Sequence, residues 1–220
     1  MSDKKKTVVL LRGGIDSTIA LANAVDERGK DNVVALNLFY GQVHKREQAA
    51  AKDIADYYGV EYKELDISQV MTFSKSSLLE GNVVGNESEY SDKKAEVPFR
   101  NGLMTAVAAS LALSIGAGSI QFAVHAGESA GNVYADKRES FFRTMASAIS
   151  EGTDGELKLE LPFADMSKKQ FMMLGLKLGV PFEKTWSCYE SEDKPCGYCV
   201  GCKGRIAAFE LIDEEDPLLK

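Results

Sequence analysis

Strand-like and helix-like segments alternate along this chain, and the alternation predicts an α/β fold: a doubly wound, mostly parallel five-stranded sheet with helices on both faces. Three observations carry the prediction. Short β-branched apolar runs recur along the chain, the stretches between them show helical periodicity, and the first strand ends in two glycines at a helix start. Ligands in this fold class sit at the carboxyl ends of the strands, and Gly13 and Gly14 mark one such end.

Residues 7–11, 32–39, 61–65, 119–124 and 157–161 read as buried strands. After the glycine turn, Ser17 is placed to cap a helix running to about Asp26. Residues 43–58 put Ala50, Ala51, Ile54, Ala55 and Tyr58 on one face of a second helix. A third helix covers 103–115, a fourth 139–149, and a fifth follows Ser167 with Phe171, Leu174 and Leu178 turned inward. The polar stretch from Asp66 to Val97, with Gly81, Asn82, Gly85 and Asn86, is long for a connection inside a domain. It either covers the site or is a surface excursion. These readings give an α/β domain over 1–182, with an inserted loop at about 66–98, and a C-terminal segment, 183–220, packed on the same domain.

With 220 residues, 45% hydrophobic and 27% charged, the chain can bury a sizeable core without cross-links. A formal net charge of −7 and a pI of about 5.0 argue against the broad basic footprint of a protein that binds nucleic acid or an anionic membrane. Small molecules are the expected ligands. The apolar stretch 102–117 is rich in Ala, Ser and Gly and too short to span a membrane, and the run from Val8 to Leu11 is cut off by Arg12-Gly13-Gly14 before it resembles a signal peptide. The expectation is a cytoplasmic protein.

Residues 7–17, Thr-Val-Val-Leu-Leu-Arg-Gly-Gly-Ile-Asp-Ser, carry the most chemistry. Two successive glycines reach backbone conformations closed to other residues, so several N–H groups can converge on one anion beside the positive end of a helix. That makes a phosphate cradle; a plain structural turn is the alternative. No Gly-x-x-x-x-Gly-Lys-Ser/Thr occurs in the chain, and no lysine follows the glycines. A cradle without that lysine suits an enzyme that cleaves ATP at the α-phosphate and releases pyrophosphate.

All four cysteines, Cys188, Cys196, Cys199 and Cys202, fall in one window spaced Cys-x7-Cys-x2-Cys-x2-Cys. With Gly197 and Gly201 between them, four thiolates can converge tetrahedrally on one ion, and zinc is the expected occupant. Disulfides and an iron–sulfur cluster are the rival readings, the first lacking an oxidising compartment in a cytosolic chain. Four protein ligands leave no open coordination position, so the small zinc-binding segment is expected to be structural.

Further motifs follow in order: Tyr40-Gly41-Gln42-Val43-His44-Lys45-Arg46-Glu47, Val97-Pro98-x-Arg100-Asn101, Ser167-Lys168, and Thr185-Trp186-Ser187-Cys188-Tyr189 through Lys194-Pro195-Cys196-Gly197. Together with Gly-Gly-Ile-Asp-Ser they resemble the 7-cyano-7-deazaguanine synthase family over about residues 7 to 210. The first motif alone places the chain in the larger ATP-pyrophosphatase, or PP-loop, group; the tryptophan and cysteine run narrows it. The resemblance implies an adenine nucleotide alpha hydrolase-like fold, a homodimer, and a two-stage reaction on 7-carboxy-7-deazaguanine within queuosine biosynthesis. A carboxylate resists amines because its leaving group would be oxide. ATP would convert it to an acyl adenylate with loss of pyrophosphate, ammonia would give the amide, and a second ATP would activate the amide oxygen so that loss of AMP leaves the nitrile. Such chemistry rests on positioning and charge stabilisation, with Mg²⁺ as the ion accompanying ATP.

The resemblance also implies residue roles. Gly13, Gly14 and the backbone at Ile15, flanked by Leu11 and Arg12, would cradle the phosphates. Ser17 would add a hydroxyl donor, unless it is only a helix cap, and Asp16 would orient Mg²⁺ or its waters. Lys168 matches a second phosphate-contacting motif, and Arg100 with Asn101 matches the family pair near nucleotide or substrate carboxylate. Asp16, Lys168 and Arg100 are thus the implied catalytic residues. Gln42 and His44 follow the second strand; Tyr134, Asp136 and Arg138 lie beyond the fourth, where Asp136 could accept hydrogen bonds from the guanidine-like edge of the base. His125, just past the fourth strand, could face the site. Three positions depart from the family: Arg12 for serine, Phe99 for glycine and Lys137 for cysteine. They open two other readings: a divergent enzyme handing the acyl group to another amine, for example on a partner protein, and a zinc-stabilised module that binds nucleotide without turnover.

Overall fold

Thr7–Leu10 (β1) is buried at every residue, as a strand flanked on both edges and covered on both faces must be. In the computed structural model, which describes residues 5–43, 45–76, 78–79, 96–125 and 134–219, β1 is the middle of five parallel strands. Val33–Phe39 (β2) and Ser119–Gln121 (β4) flank it, and Glu61–Asp66 (β3) and Lys158–Glu160 (β5) form the edges, giving the order β3-β2-β1-β4-β5. The doubly wound sheet expected from the sequence is therefore present, with every pairing among its five strands parallel.

Because successive strand residues point to opposite faces, β1 and β2 supply two cores. Val9, Leu11, Val33 and Ala35 bury against helices Ile15–Arg28 (α1), Arg46–Tyr58 (α2), Lys168–Lys177 (α5) and Val200–Glu210 (α6). Val8, Leu10, Val34 and Leu36 bury against Arg100–Ser114 (α3) and Glu139–Gly152 (α4). A third, smaller cluster joins Ala50 of α2 to Trp186 and the cysteines.

The structure corrects several boundaries. β3 is no buried strand: none of its residues is buried, because it forms a sheet edge, and Lys6 and Lys63 pair with Glu61 there at 2.7 and 2.9 Å. Charges at an edge discourage pairing with another strand. α1 begins at Ile15 with Gly14 at its N-cap, so Ser17 lies in the first turn and does not cap it. α5 starts as expected at Ser167, whose hydroxyl accepts the Gln170 N–H while the Gln170 side chain accepts the Ser167 N–H. α6 was not foreseen; its N-cap is Cys199, whose sulfur accepts the Cys202 N–H at 3.4 Å. Of the long polar stretch, residues 77 and 80–95 lie outside the described residues. Among the described residues no helix is long and apolar enough to cross a membrane.

Two junctions tie these elements together. Gly13 has φ +88°, and a Cβ there would stand 2.1 Å from the Glu47 carbonyl oxygen and 2.8 Å from the Ala51 nitrogen. Only glycine lets the strand-to-helix turn lie this close to α2. The second junction is the guanidinium of Arg205, buried in α6. It meets Asp216 through Nε and Nη2 at 2.7 and 2.8 Å, donates to Thr185 Oγ1 at 2.6 Å and to the Phe182 carbonyl at 3.0 Å. Every arm of the guanidinium is engaged, so one side chain fixes α6, the segment before Trp186 and the C-terminal tail.

Both junctions predict stability losses readable by urea unfolding. Gly13→Ala should cost about 2–5 kcal/mol through overpacking and left-handed backbone; a shift under roughly 0.5 kcal/mol would mean the turn relaxes freely. Asp216→Ala should cost about 3–5 kcal/mol by stranding a buried cation, whereas Arg205→Met with Asp216→Leu should cost less than the single change. A double variant as unstable as the single one would refute that assignment.

Candidate active site

A cleft of about 490 Å³ opens where the strand order reverses, at the carboxyl ends of β1 and β4. Of the residues expected from the sequence, Arg12, Gly14, Ile15, Asp16, Ser17, Asn101 and Lys168 line it. Its apolar wall comes from Leu10, Met104, Phe122 and Phe142, and its far wall from Ser187, Tyr189, Val200, Gly201 and Arg205 of the C-terminal segment.

The glycine turn is held open from within. Ser17 Oγ accepts the Arg12 N–H and donates to the Gly14 carbonyl, both at 3.1 Å, and Thr18 Oγ1 donates to the same carbonyl at 2.8 Å. The first-turn N–H groups of Ile15, Asp16 and Ser17 have no carbonyl earlier in the helix to bond, which gives the floor of the cleft its anion-binding character. From outside, the Trp186 N–H donates to the Gly13 carbonyl at 2.8 Å. The cysteine-bearing segment thus holds the back of the turn.

Asp16 projects from that first turn to meet two cationic or potentially cationic groups. Its Oδ1 pairs with Lys168 Nζ, delivered by the capped start of α5, and its Oδ2 lies 3.5 Å from His125 Nε2. Burial would raise its pKa, but Lys168 and His125 outweigh that and hold it well below the ordinary carboxylate range. His125 is itself buried and stacks on Phe171 at 5.3 Å. Sequence position alone left this histidine in doubt; the fold brings it against Asp16.

A second charged group surrounds Glu47. Arg12 Nη2 stands 3.8 Å from Glu47 Oε1, and Arg100 lies close enough to act on the same carboxyl. Arg100 also donates to the Tyr40 hydroxyl at 3.0 Å, with its guanidinium 5.1 Å from the Tyr40 ring centroid. Burial pushes the Glu47 pKa up, and Arg12 and Arg100 offset only part of the rise. Burial and the Glu47 charge likewise push Tyr189 up to about 12. Glu47, Tyr189 and Arg205 are cleft residues that sequence reasoning did not single out, although Glu47 closes the Tyr40-to-Glu47 motif and Tyr189 follows the first cysteine.

Other expected residues make contacts with the scaffold around the cleft. The Leu11 carbonyl accepts from Asn37 Nδ2 at 2.8 Å, and Gln42 Oε1 accepts the Tyr40 N–H at 2.9 Å. Asp136 accepts the Asn101 N–H at 2.9 Å and so anchors the start of α3; Arg138 is the N-cap of α4, and the Tyr134 ring sits 5.0 Å from Lys137 Nζ. His44 lies outside the described residues. Among the three departures, Arg12 and Lys137 line the cleft. Phe99 instead takes a left-handed backbone, φ 52°, packs on Phe141 at 5.6 Å and covers Gly102, where a Cβ would meet its ring at 2.2 Å. A glycine would adopt that backbone without the cost of about 1–2 kcal/mol that phenylalanine bears.

The four cysteine sulfurs lie within 4.8 Å of one another. Cys196 and Cys202 are 3.8 Å apart, far beyond disulfide bonding and close to the sulfur spacing around one tetrahedral ion. Backbone N–H groups of Glu190 and Cys196 point at Cys188 Sγ at 3.4 Å, and that of Cys199 at Cys196 Sγ at 3.3 Å, which suits thiolates. Gly201 is required beside them: a Cβ there would fall 1.9 Å from the Ser187 carbonyl oxygen. A metal held here would fix the cleft's far wall.

Comparison with known proteins agrees with this architecture. The family model described as "Queuosine biosynthesis protein QueC" matches residues 6–213. The chain is 38% identical over 218 residues to a 7-cyano-7-deazaguanine synthase from a Nitratiruptor species, covering 97% of each chain. It is 37% identical to one from Archaeoglobus fulgidus, covering 97% of this chain and 90% of that one. Among solved structures, NMN synthetase from Francisella tularensis superposes with TM-score 0.55 at 17% identity, over 97% of this chain and 79% of that one. The NH3-dependent NAD synthetase from Campylobacter jejuni does so with TM-score 0.53 at 17% identity, over 82% and 66%. At such identities the structures establish the fold alone, whereas the family match and the near full-length relatives settle the lineage: the chain belongs to the 7-cyano-7-deazaguanine synthase family.

Proposed function

We propose that this chain is an ATP-dependent carbon–nitrogen ligase that adenylates 7-carboxy-7-deazaguanine with release of pyrophosphate, aminates it to the amide and dehydrates the amide to 7-cyano-7-deazaguanine. The observation that carries the reading is the meeting of the glycine turn, Asp16 and Lys168 at one end of a cleft that also has an apolar wall. The N–H groups at the head of α1 bind the departing phosphates, and Lys168 neutralises charge as the bond to the α-phosphate breaks. Asp16, kept ionised by its neighbours, positions Lys168 and offers a hard oxygen for the Mg²⁺ that accompanies ATP. That ion would supply charge neutralisation at the phosphate oxygens. Leu10, Met104, Phe122 and Phe142 give a planar base an apolar seat, and Asn101 and Lys137 add polar groups at its rim. Relatives that carry the synthase name along almost their whole length do not favour the acyl-transfer or binding-only readings.

In the cysteine site we infer one structural zinc, whose binding holds Ser187, Tyr189 and the start of α6 in place and is not used in the chemistry.

ATP consumption should require the deazaguanine carboxylate and yield AMP and pyrophosphate; ADP and orthophosphate as main products would overturn the reading. Lys168→Ala should slow AMP formation by about 10²–10³-fold while changing the urea midpoint little, since the lysine faces the cleft. Equal losses of rate and stability would mark it as structural. Cys199→Ser should lower metal content, measured by elemental analysis, together with thermal stability. Full metal content in that variant would refute the four-cysteine site.

A further inference from the structure

Amide formation from an acyl adenylate needs a neutral nucleophile, and near neutral pH ammonia is present almost entirely as ammonium. The acyl adenylate, with one negative charge, plus ammonium gives a neutral amide, the AMP dianion and two protons. The new C–N bond replaces the C–O bond to phosphate, whose electron pair leaves with AMP. Before the nitrogen lone pair can attack, some group must take the first proton. This question rests on the synthase reading above.

The acidic side chains lining the cleft, among the described residues, are Asp16 and Glu47. Asp16 is committed to Lys168 and His125 and is a weak base. Glu47 is placed differently. Its Oε1 and the carbonyl oxygen of Trp186 each lie 3.6 Å from the point above Gly14 where a Cβ would stand, so two acceptor oxygens converge directly over the phosphate turn. A tetrahedral ammonium ion presents donors to both at once, and glycine leaves that space open. We propose that Glu47 and the Trp186 carbonyl form the ammonium-binding site of this cleft, and that Glu47 takes the proton that frees ammonia to attack the adenylate.

The groups facing Glu47 fit the role. Arg12 reaches it from the glycine turn at 3.8 Å, Arg100 acts on it from α3, and Tyr189 faces it from the C-terminal segment. Burial raises the proton affinity of Glu47 more than the two arginines lower it, moving it toward that of a working base, while Tyr189 stays neutral. Arg12 occupies the carboxylate in the resting state and limits the cost of its burial.

Glu47→Gln and Glu47→Asp in the full chain test this with three assays: carboxylate-dependent exchange of labelled pyrophosphate into ATP, amide formation from ammonium across pH, and product formation from hydroxylamine, which is largely neutral near pH 7. Glu47→Gln should lower ammonium-dependent amide formation by about 10²-fold, with the deficit shrinking as pH rises and free ammonia accumulates. Exchange should fall far less, hydroxylamine should react at a rate close to wild type, and Glu47→Asp should recover part of the ammonium-dependent rate. Equal losses with hydroxylamine and ammonium, or a parallel loss of exchange, would overturn the proposal and make Glu47 a support of the turn. Wild-type protein that cannot exchange pyrophosphate with this carboxylate would instead bring down the synthase reading and the proposal with it.

Discussion

Gly13 stands so close to α2 that a Cβ would come within 2.1 Å of the Glu47 carbonyl, and its own carbonyl accepts the Trp186 N–H at 2.8 Å. One backbone position is therefore gripped by a helix on one side and by the cysteine-bearing segment on the other. The consequences spread outward. Fixing Gly13 aims the head of α1 into the cleft and sets Asp16 toward α5. It also brings the side chain of Glu47, on the helix turn that grips Gly13, to the rim of the same turn. The cysteine cluster, the Arg205–Asp216 pair and the glycine turn are then parts of one support, linked through residues 185–189.

The two carboxylates of the cleft show how one scaffold gives like groups unlike properties. Asp16 is ringed by Lys168 and His125 and held strongly acidic, whereas Glu47 is desolvated with its arginines at longer range and pushed the other way. A permanently ionised group suits charge balance around phosphates. A more basic one suits proton transfer, and such divergence within a single cleft is where acid–base roles are sought.

Much of this was legible in the chain. The central strands, rich in Val and Leu, and the helical periodicity between strands point to the parallel sheet because their burial patterns leave few alternatives. The cysteine spacing and the helix start at Ser167 are local signals and were equally plain. What was not legible depends on contacts between segments far apart. Ser17 resembles a helix cap until Gly14 is seen to take that place, leaving the hydroxyl to stitch Arg12 to Gly14. Nor does any local pattern show that Asp136 accepts the N–H of Asn101, thirty-five positions away, at the start of α3. Glu47 carried no sign of its convergence with the Trp186 carbonyl, because no local pattern encodes a meeting of α2 with the C-terminal segment. Phe99 marks the reverse case, a departure visible in sequence whose effect proves to lie in backbone strain and cover for Gly102 outside the cleft.

The central claim, that the glycine turn serves direct attack of a carboxylate oxygen on the α-phosphate of ATP, is open to a direct isotopic test. With both oxygens of the 7-carboxylate labelled with ¹⁸O, phosphorus NMR of the products should show ¹⁸O in AMP and none in pyrophosphate. Each activation step moves one carboxylate oxygen onto AMP, so two singly labelled AMP molecules should form for every nitrile. Unlabelled AMP, or label in orthophosphate, would contradict the account.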